Sequence, residues 1–307
     1  MKKLRIKRQI EEQWGRLVKK IKVSFVYIKN RFHLKIIFTL ICSYIIFLII
    51  SVLEEPIACL PEPFKTIFSI VKADNIEGFS ILFVALFYIV DIGERRQRAI
   101  DEAWQVVHAA AAAKIEISYP PRIKALQDLN RYGESLKSLK APKANLENIN
   151  LEGADLQGAN LQGANLQGAN LQRVDLEGAN LEGADLQGAQ LQGADLYNTN
   201  LQGAQFQGTN LQKAKLQKAK LQKAKLQKAN LQDAKLRKAE LQEADLQGAN
   251  LKGADLKVAK LQGANLQGAN IEEAEVEQAE FGHNQVISQE KKAKLIQEGA
   301  KFNTPPN

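Results

Sequence analysis

A five-residue phrase fills the second half of the chain and limits what that half can fold into. From residue 144 to residue 283 the sequence repeats Ala–(Asn/Asp)–Leu–x–x twenty-eight times, with Leu at the central position of twenty-four repeats. On an α-helix, a step of five residues turns each leucine about 140° from the one before, so no apolar face forms. A coiled coil needs a spacing of about 3.5 residues and fails for the same reason.

An extended chain that turns once per phrase keeps every Ala and Leu inside, because residues two apart on a strand point to the same side. This predicts a polygonal coil with a Leu/Ala core, which is a solenoid. Every twentieth residue gives uniform columns, and these favour four sides and seven coils of about 4.8 Å each. One column holds amides (Asn150, Asn170, Gln190, Asn210, Asn230, Asn250, Asn270), and another holds charges (Asp155, Asp175, Asp195, Lys215, Lys235, Asp255, Glu275).

The A(D/N)LXX phrase over residues 144–283 resembles the pentapeptide-repeat family. The resemblance implies an all-β right-handed quadrilateral β-helix for this region. The flanks ERRQRAIDEAWQVV (94–107), RIKALQDLNRYGESL (122–136) and QVISQEKKAKLIQEGAKF (285–302) resemble the end segments of membrane-tethered cyanobacterial members. We therefore expect residues 94–143 to form a helical linker and N-terminal cap, and residues 284–307 a C-terminal helix and tail.

Two apolar runs before the repeat predict an α-helical transmembrane hairpin. Residues 36–53 carry no charge and would reach about 27 Å as a helix, close to the thickness of a hydrocarbon core. Residues 76–93 have an uncharged stretch of only thirteen residues, which a buried or interfacial helix would also explain. Because lysine and arginine flank the two runs on their outer sides, we expect an integral membrane protein with cytoplasmic N- and C-termini.

The first 35 residues carry twelve basic and two acidic side chains. Their apolar residues recur at steps of three and four, which is typical of an amphipathic helix. We expect this juxtamembrane segment to contact the lipids of an anionic leaflet. A solvated basic tail is the alternative.

The most basic part of the repeat region is the coil 211–230 with the start of the next coil. Its lysines should point outward, and we name the set the lysine band: Lys213, Lys215, Lys218, Lys220, Lys223, Lys225, Lys228, Lys235, Arg237 and Lys238. The band is a candidate surface for an acidic partner, and solvation of the coil surface is the competing interpretation. Nucleic acid is an improbable ligand, because the nearest aromatic residue, Phe206, is assigned to the core.

The chain shows no catalytic motif, and we expect no enzyme activity, cofactor or metal. Its three histidines are far apart, and its glycines follow the five-residue register of turns. The leading hypothesis is a membrane-anchored scaffold that binds an unidentified protein partner. One alternative is a DNA-mimicking protein that binds topoisomerases, as some relatives with this fold do. A second is a homo-oligomeric channel or transporter, although neither apolar run carries an interior charge that would mark an ion path.

Overall fold

The computed structural model describes residues 76–282 and 289–302, in a chain that divides into two compact units, Met1–Arg98 and Ala99–Asn307. Within these described ranges, the structure has three helices and two short strands: α1 (Ile76–Ala112), α2 (Pro120–Arg131), β1 (Glu280–Phe281), α3 (Gln289–Gln297) and β2 (Lys301–Phe302). The juxtamembrane segment 1–35 and the first predicted span, 36–53, lie outside the described residues.

The second predicted span, 76–93, forms the first half of helix α1. Over residues 76–282 and 289–302, the structure contains no helix whose length and apolar character would let it cross a membrane. The structure therefore has a helix at this position, whereas its assignment as a span is not supported. Glu77 and Asp91 bound an uncharged stretch that is short for a bilayer core.

The repeat region folds as a four-sided coil of twenty residues per turn. The bridges between successive coils are parallel and join residues twenty positions apart, as in Asn150↔Asn170 and Asp155↔Asp175. The central side chain and the Ala two residues before it face inward, and most are fully buried, Leu221 and Ala224 among them. This confirms the predicted Leu/Ala core and the four-sided register.

Turn chemistry explains the polar positions of the repeat. The Asn or Asp before the central residue accepts a hydrogen bond from the N–H two residues on, as Asn145 does from Glu147 at 3.1 Å. The second residue after the central position has a positive φ, and glycine is frequent there, as at Gly203 with φ 66°. The ladder then continues from turn to turn, since the Gly203 N–H donates to the Gln222 carbonyl at 2.9 Å.

The coil begins before residue 144. The Leu136 N–H donates to the Asp155 carbonyl at 2.8 Å, and Lys140 pairs with Asn160. Helix α2 lies against this end and buries Leu126 and Leu129, while the C-terminal half of α1 adds its own apolar residues to the same core, namely Ile100, Ala103 and Val107. The expected helical cap is thus present, and two irregular repeats complete the first coil.

Helix α3 and strand β2 cover the other end of the coil. Strand β2 pairs in parallel with β1, so that Phe302 lies opposite Phe281. Leu295 of α3 and Ala300 are buried in the same core as the coil. The expected C-terminal helix is present, and the strand after it continues the ladder on one of the four sides, where the edge would otherwise expose unpaired backbone groups.

Candidate interaction surface

All ten residues of the predicted lysine band are exposed. Beneath them, the leucines and alanines of the coil 211–230 are buried, as at Leu216 and Ala219. The backbone under the band is hydrogen-bonded to the coils on both sides, for example from the Lys220 N–H to the Thr199 carbonyl at 2.9 Å. The band is therefore a set of exposed side chains on a backbone that is held by the coils on both sides.

Five basic residues of the band occupy turn positions with a left-handed backbone. These are Lys213, Lys218, Lys223, Lys228 and Lys238, with φ between 57° and 61°. A residue with a Cβ in this conformation is disfavoured by about 1–2 kcal/mol, a penalty that glycine avoids. Lysine at these positions therefore adds charge at the expense of local backbone stability.

The other four lysines of the band replace the turn-stabilising Asn or Asp. That side chain would accept a hydrogen bond from the N–H two residues on, and its place is taken by Lys215, Lys220, Lys225 and Lys235. In the repeats that keep Asn, this bond is present, as from the Gln212 N–H to Asn210 at 3.1 Å. The coil 211–230 thus lacks two local features that stabilise other turns: glycine at the left-handed position and, in three of its repeats, the Asn or Asp acceptor.

Acidic residues of the next coil balance much of the band. Lys223 forms an ion pair with Glu243 at 3.6 Å, and Lys220 pairs in the ladder with Glu240. Lys225 lies beside Asp245 in the same way. On these sides, each lysine has a carboxylate about 4.8 Å further along the coil axis.

One edge of the coil has the opposite arrangement. There Lys215 pairs in the ladder with Lys235, and the Lys218 N–H donates to the Arg237 carbonyl at 3.1 Å. Lys238 occupies the turn next to Lys218 along the axis. We name this set the basic edge: Lys215, Lys218, Lys235, Arg237 and Lys238.

Two carboxylates partly neutralise the margins of the basic edge. Lys215 bonds Asp195 at 2.9 Å, and this hydrogen bond, with the charge of Asp195, raises the pKa of Lys215. Lys257, one coil beyond Arg237, bonds Glu275 at 2.6 Å, which raises the pKa of Lys257. Among the residues that the structure describes, Lys235, Arg237 and Lys238 form no ion pair.

An aromatic side chain lies beside the band, which the sequence analysis missed. The Lys218 ammonium lies 5.2 Å from the centre of the Tyr197 ring, and Tyr197 is half-buried. Phe206 is fully buried in the core, as predicted. The sequence could have indicated this contact, because positions 197 and 217 are neighbours at the twenty-residue spacing and Lys218 follows position 217.

Metal chemistry has no support in the part of the chain with assigned structure. Over residues 76–282 and 289–302, no group of three or more His, Cys, Asp or Glu side chains could hold a metal ion. The stacked Asp155 and Asp175 have neighbours of other kinds: Lys137 lies 3.5 Å from Asp155, and the Gln157 amide bonds Asp175 at 2.5 Å.

The family model for pentapeptide repeats matches this chain in eight copies, in overlapping ranges between residues 144 and 278. Together with the five-residue turns and the twenty-residue ladder, this match shows that the chain belongs to the pentapeptide-repeat family. Its coil is the right-handed quadrilateral β-helix of that family. Proteins of this kind are generally structural or interaction proteins and not enzymes.

Several solved structures are similar to the repeat region. HetL, a pentapeptide repeat protein involved in heterocyst differentiation regulation in the cyanobacterium Nostoc, is 30% identical over 47% of this chain and 84% of its own, with a TM-score of 0.29. Rfr23 from the cyanobacterium Cyanothece is 29% identical over 38% and 85%, with a TM-score of 0.21. QnrB1, a plasmid-mediated fluoroquinolone resistance protein, is 20% identical over 55% and 85%, with a TM-score of 0.33. No curated protein matches the chain.

Proposed function

We propose that this chain is a membrane-anchored, non-enzymatic scaffold that presents its coil to a protein partner in the cytoplasm. The observation that carries the proposal is the lysine band, ten exposed basic side chains on a backbone that is hydrogen-bonded to the coils on both sides. Complementary charge on a fixed surface accelerates encounter and selects partners. The lysines occupy positions where Gly, Asn or Asp would favour the turn, and this supports a role beyond local stability.

Membrane anchorage is proposed from the sequence of residues 36–53, which lie outside the described residues. Eighteen residues without a charge are long enough for one crossing. The basic segment 1–35 would contact anionic headgroups on the cytoplasmic side. In this respect the chain would match the membrane-tethered cyanobacterial members of the family.

Placement of both termini in the cytoplasm requires the chain to return across the membrane. The basic run ERRQR at 94–98 favours this placement, because lysine and arginine next to a crossing stay inside. A single crossing would put the coil on the far side instead. The position of a reporter fused after Asn307 separates these two topologies.

The test is proximity labelling in cells, with a labelling enzyme fused after Asn307 of the full chain. We expect a small set of cytoplasmic proteins to be labelled, and this set to be lost when all ten band residues are replaced by Gln. Equal labelling by both forms would show that the band serves only solvation. Labelling confined to proteins beyond the membrane would overturn the topology.

The DNA-mimic alternative requires a continuous acidic face. The basic edge interrupts the charged column between Asp195 and Asp255, so the surface alternates in sign along the axis. A supercoiling assay with the full chain and a type II topoisomerase tests this alternative, and we expect no inhibition. No described residue favours the channel alternative, which depends on the segments before residue 76.

A further inference from the structure

We propose that the basic edge is the docking site of the scaffold, and that its ligand is an acidic protein segment with one large apolar side chain. This inference rests on the proposed function and narrows it from a band around the coil to one edge. The edge consists of Lys215, Lys218, Lys235, Arg237 and Lys238. Tyr197 lies beside it at one end, and Val258 lies beside it at the other.

The backbone of this edge differs from that of the other three corners. Five successive turns carry a side chain at a left-handed position: Asn198, Lys218, Lys238, Val258 and Gln278, with φ between 54° and 61°. At the other corners within the described residues, at most two successive turns lack glycine. Each side chain at such a position is disfavoured by about 1–2 kcal/mol, and clustered backbone strain is characteristic of functional sites.

Val258 is the most unfavourable of the five, because a β-branched residue rarely adopts a positive φ. Its φ is 60°, and its side chain is half-buried on the outside of the coil, where it is not needed for the Leu/Ala core. The N–H of Val258 still donates to the Glu277 carbonyl at 3.0 Å, so the turn keeps its ladder bond. An apolar side chain at this position would be useful for contact with a partner.

The pattern of charges also distinguishes this edge from the other corners of the coil. One coil after Lys213 and Lys223, the turn residues are Asp233 and Glu243, whereas one coil after Lys218 the turn residue is Lys238. The same holds in the bridge column, where Lys215 is followed by Lys235. Positive charge is therefore reinforced along this edge and balanced or diluted elsewhere.

The chemistry of the margins favours an acidic protein segment over a nucleic acid. Asp195 bonds Lys215 on one side of the edge, and Asp255 follows Lys235 in the same column on the other side, where Glu275 lies one coil further on. A long polyphosphate would therefore meet carboxylates on both sides. Three steps from the turn at 198 to the turn at 258 span about 14 Å, which an extended peptide of about five residues would cover. Carboxylates would meet the five basic groups, and an apolar side chain would meet Val258 or the Tyr197 ring.

The experiment measures binding of fluorescent probes to the detergent-solubilised full chain by fluorescence anisotropy. The first probe is a peptide of about ten residues, acidic except for one central leucine, long enough to exceed the proposed contact. The second has alanine in place of that leucine, and the third is an oligothymidylate of similar length. We expect the leucine peptide to bind most tightly at low salt and to weaken as salt increases.

Two triple variants with the same change of charge locate the site. The edge variant carries Lys218→Gln, Arg237→Gln and Lys238→Gln, and the control variant carries Lys213→Gln, Lys223→Gln and Lys228→Gln. We expect the edge variant to weaken binding of the leucine peptide about tenfold, and the control to weaken it less than about threefold. Equal losses in both variants would overturn the proposal, because they would show attraction without a site.

Val258→Gly separates binding from folding. This change removes the apolar side chain and relieves the strained backbone, so we expect greater thermal stability together with a loss of about threefold in affinity for the leucine peptide. Affinity for the alanine peptide should not change. Unaltered binding of the leucine peptide would exclude Val258 from the contact.

The outcome also separates this inference from the proposed function. If the oligothymidylate binds more tightly than either peptide, and the edge variant loses it, the ligand class is wrong. If proximity labelling depends on the lysine band but is unaffected by the edge variant, the scaffold function stands and the edge is not its docking site. If labelling is independent of the whole band, the proposed function itself fails.

Discussion

The ring of Phe281 stacks on the ring of Phe302, with the ring centres 5.2 Å apart and the planes inclined by 16°. This contact fixes strand β2 on the last coil, where the Lys301 N–H donates to the Ala279 carbonyl at 2.8 Å. On this side of the coil, the last ladder edge is therefore covered by the chain itself.

We expect Phe302→Ala to destabilise the folded chain, because it removes the stacked ring. The loss should be about 1–3 kcal/mol, less than for a fully buried ring, because Phe302 is only partly buried. It should also promote self-association, since loosening β2 exposes a ladder edge. Chemical denaturation and light scattering measure the two effects. Lys301→Ala is the control, because it keeps the backbone bond, and equal effects of the two changes would contradict the role of the stacked rings.

A second prediction concerns the left-handed backbone at Lys218. Lys218 has φ 59°, so Lys218→Gly should raise the free energy of unfolding by about 1 kcal/mol. Lys220→Gly is the control in the same coil, at a ladder position paired with Glu240, and should lower it by about 0.5–1 kcal/mol. Urea denaturation at matched ionic strength compares the two, and changes of the same sign would show that charge, not backbone strain, is decisive.

Arg122 makes a third prediction, at the N-terminal end. It is only 3% exposed and donates to the Ile115 carbonyl at 2.8 Å and the Asn145 carbonyl at 3.4 Å, and its burial lowers its pKa. Arg122→Ala should cost about 2–3 kcal/mol, because both carbonyls lose a charged donor. Amide hydrogen exchange should then become faster in α2 and in the first coil, with little change in the coil 211–230. An equal increase in exchange along the whole coil would contradict a local role of Arg122 at the N-terminal end.

The pair Lys215–Asp195 makes a fourth prediction, on pH. Because the hydrogen bond to Asp195 raises the pKa of Lys215 in the folded state, its stabilisation is complete below the unfolded pKa of lysine and disappears as pH rises through the folded pKa. Lys215 is half exposed, so the pair contributes at most about 1 kcal/mol. The unfolding free energies of the wild type and Lys215→Gln should differ near neutral pH and converge in strong alkali.

The interior of the coil could be predicted because one physical requirement recurs in every repeat. A central leucine and an alanine two residues earlier must both face inward, and only a turn every five residues allows it. The uniform columns at twenty-residue spacing then indicated four sides, which the pairs Asn150↔Asn170 and Asp155↔Asp175 confirm.

The ends of the coil and the basic edge could not be predicted in the same way. Leu136 and Ala141 continue the coil where the Asn/Asp and glycine positions are lost, so the phrase is no longer recognisable. The pairing of Phe281 with Phe302 joins residues separated by a helix. The sequence pattern predicted outward lysines without distinguishing the sides of the coil, because the sign of each neighbour one coil away becomes apparent only in the ladder.

Because the coil has a twenty-residue register, the number of residues in the repeat region determines the direction in which each later side chain faces. Five residues inserted between positions 200 and 205 would rotate every later side chain by a quarter turn, and Lys218 would lose Tyr197 as its neighbour. Twenty inserted residues would lengthen the coil and leave every face in phase. Any surface that spans several coils can therefore tolerate changes of length only in whole turns.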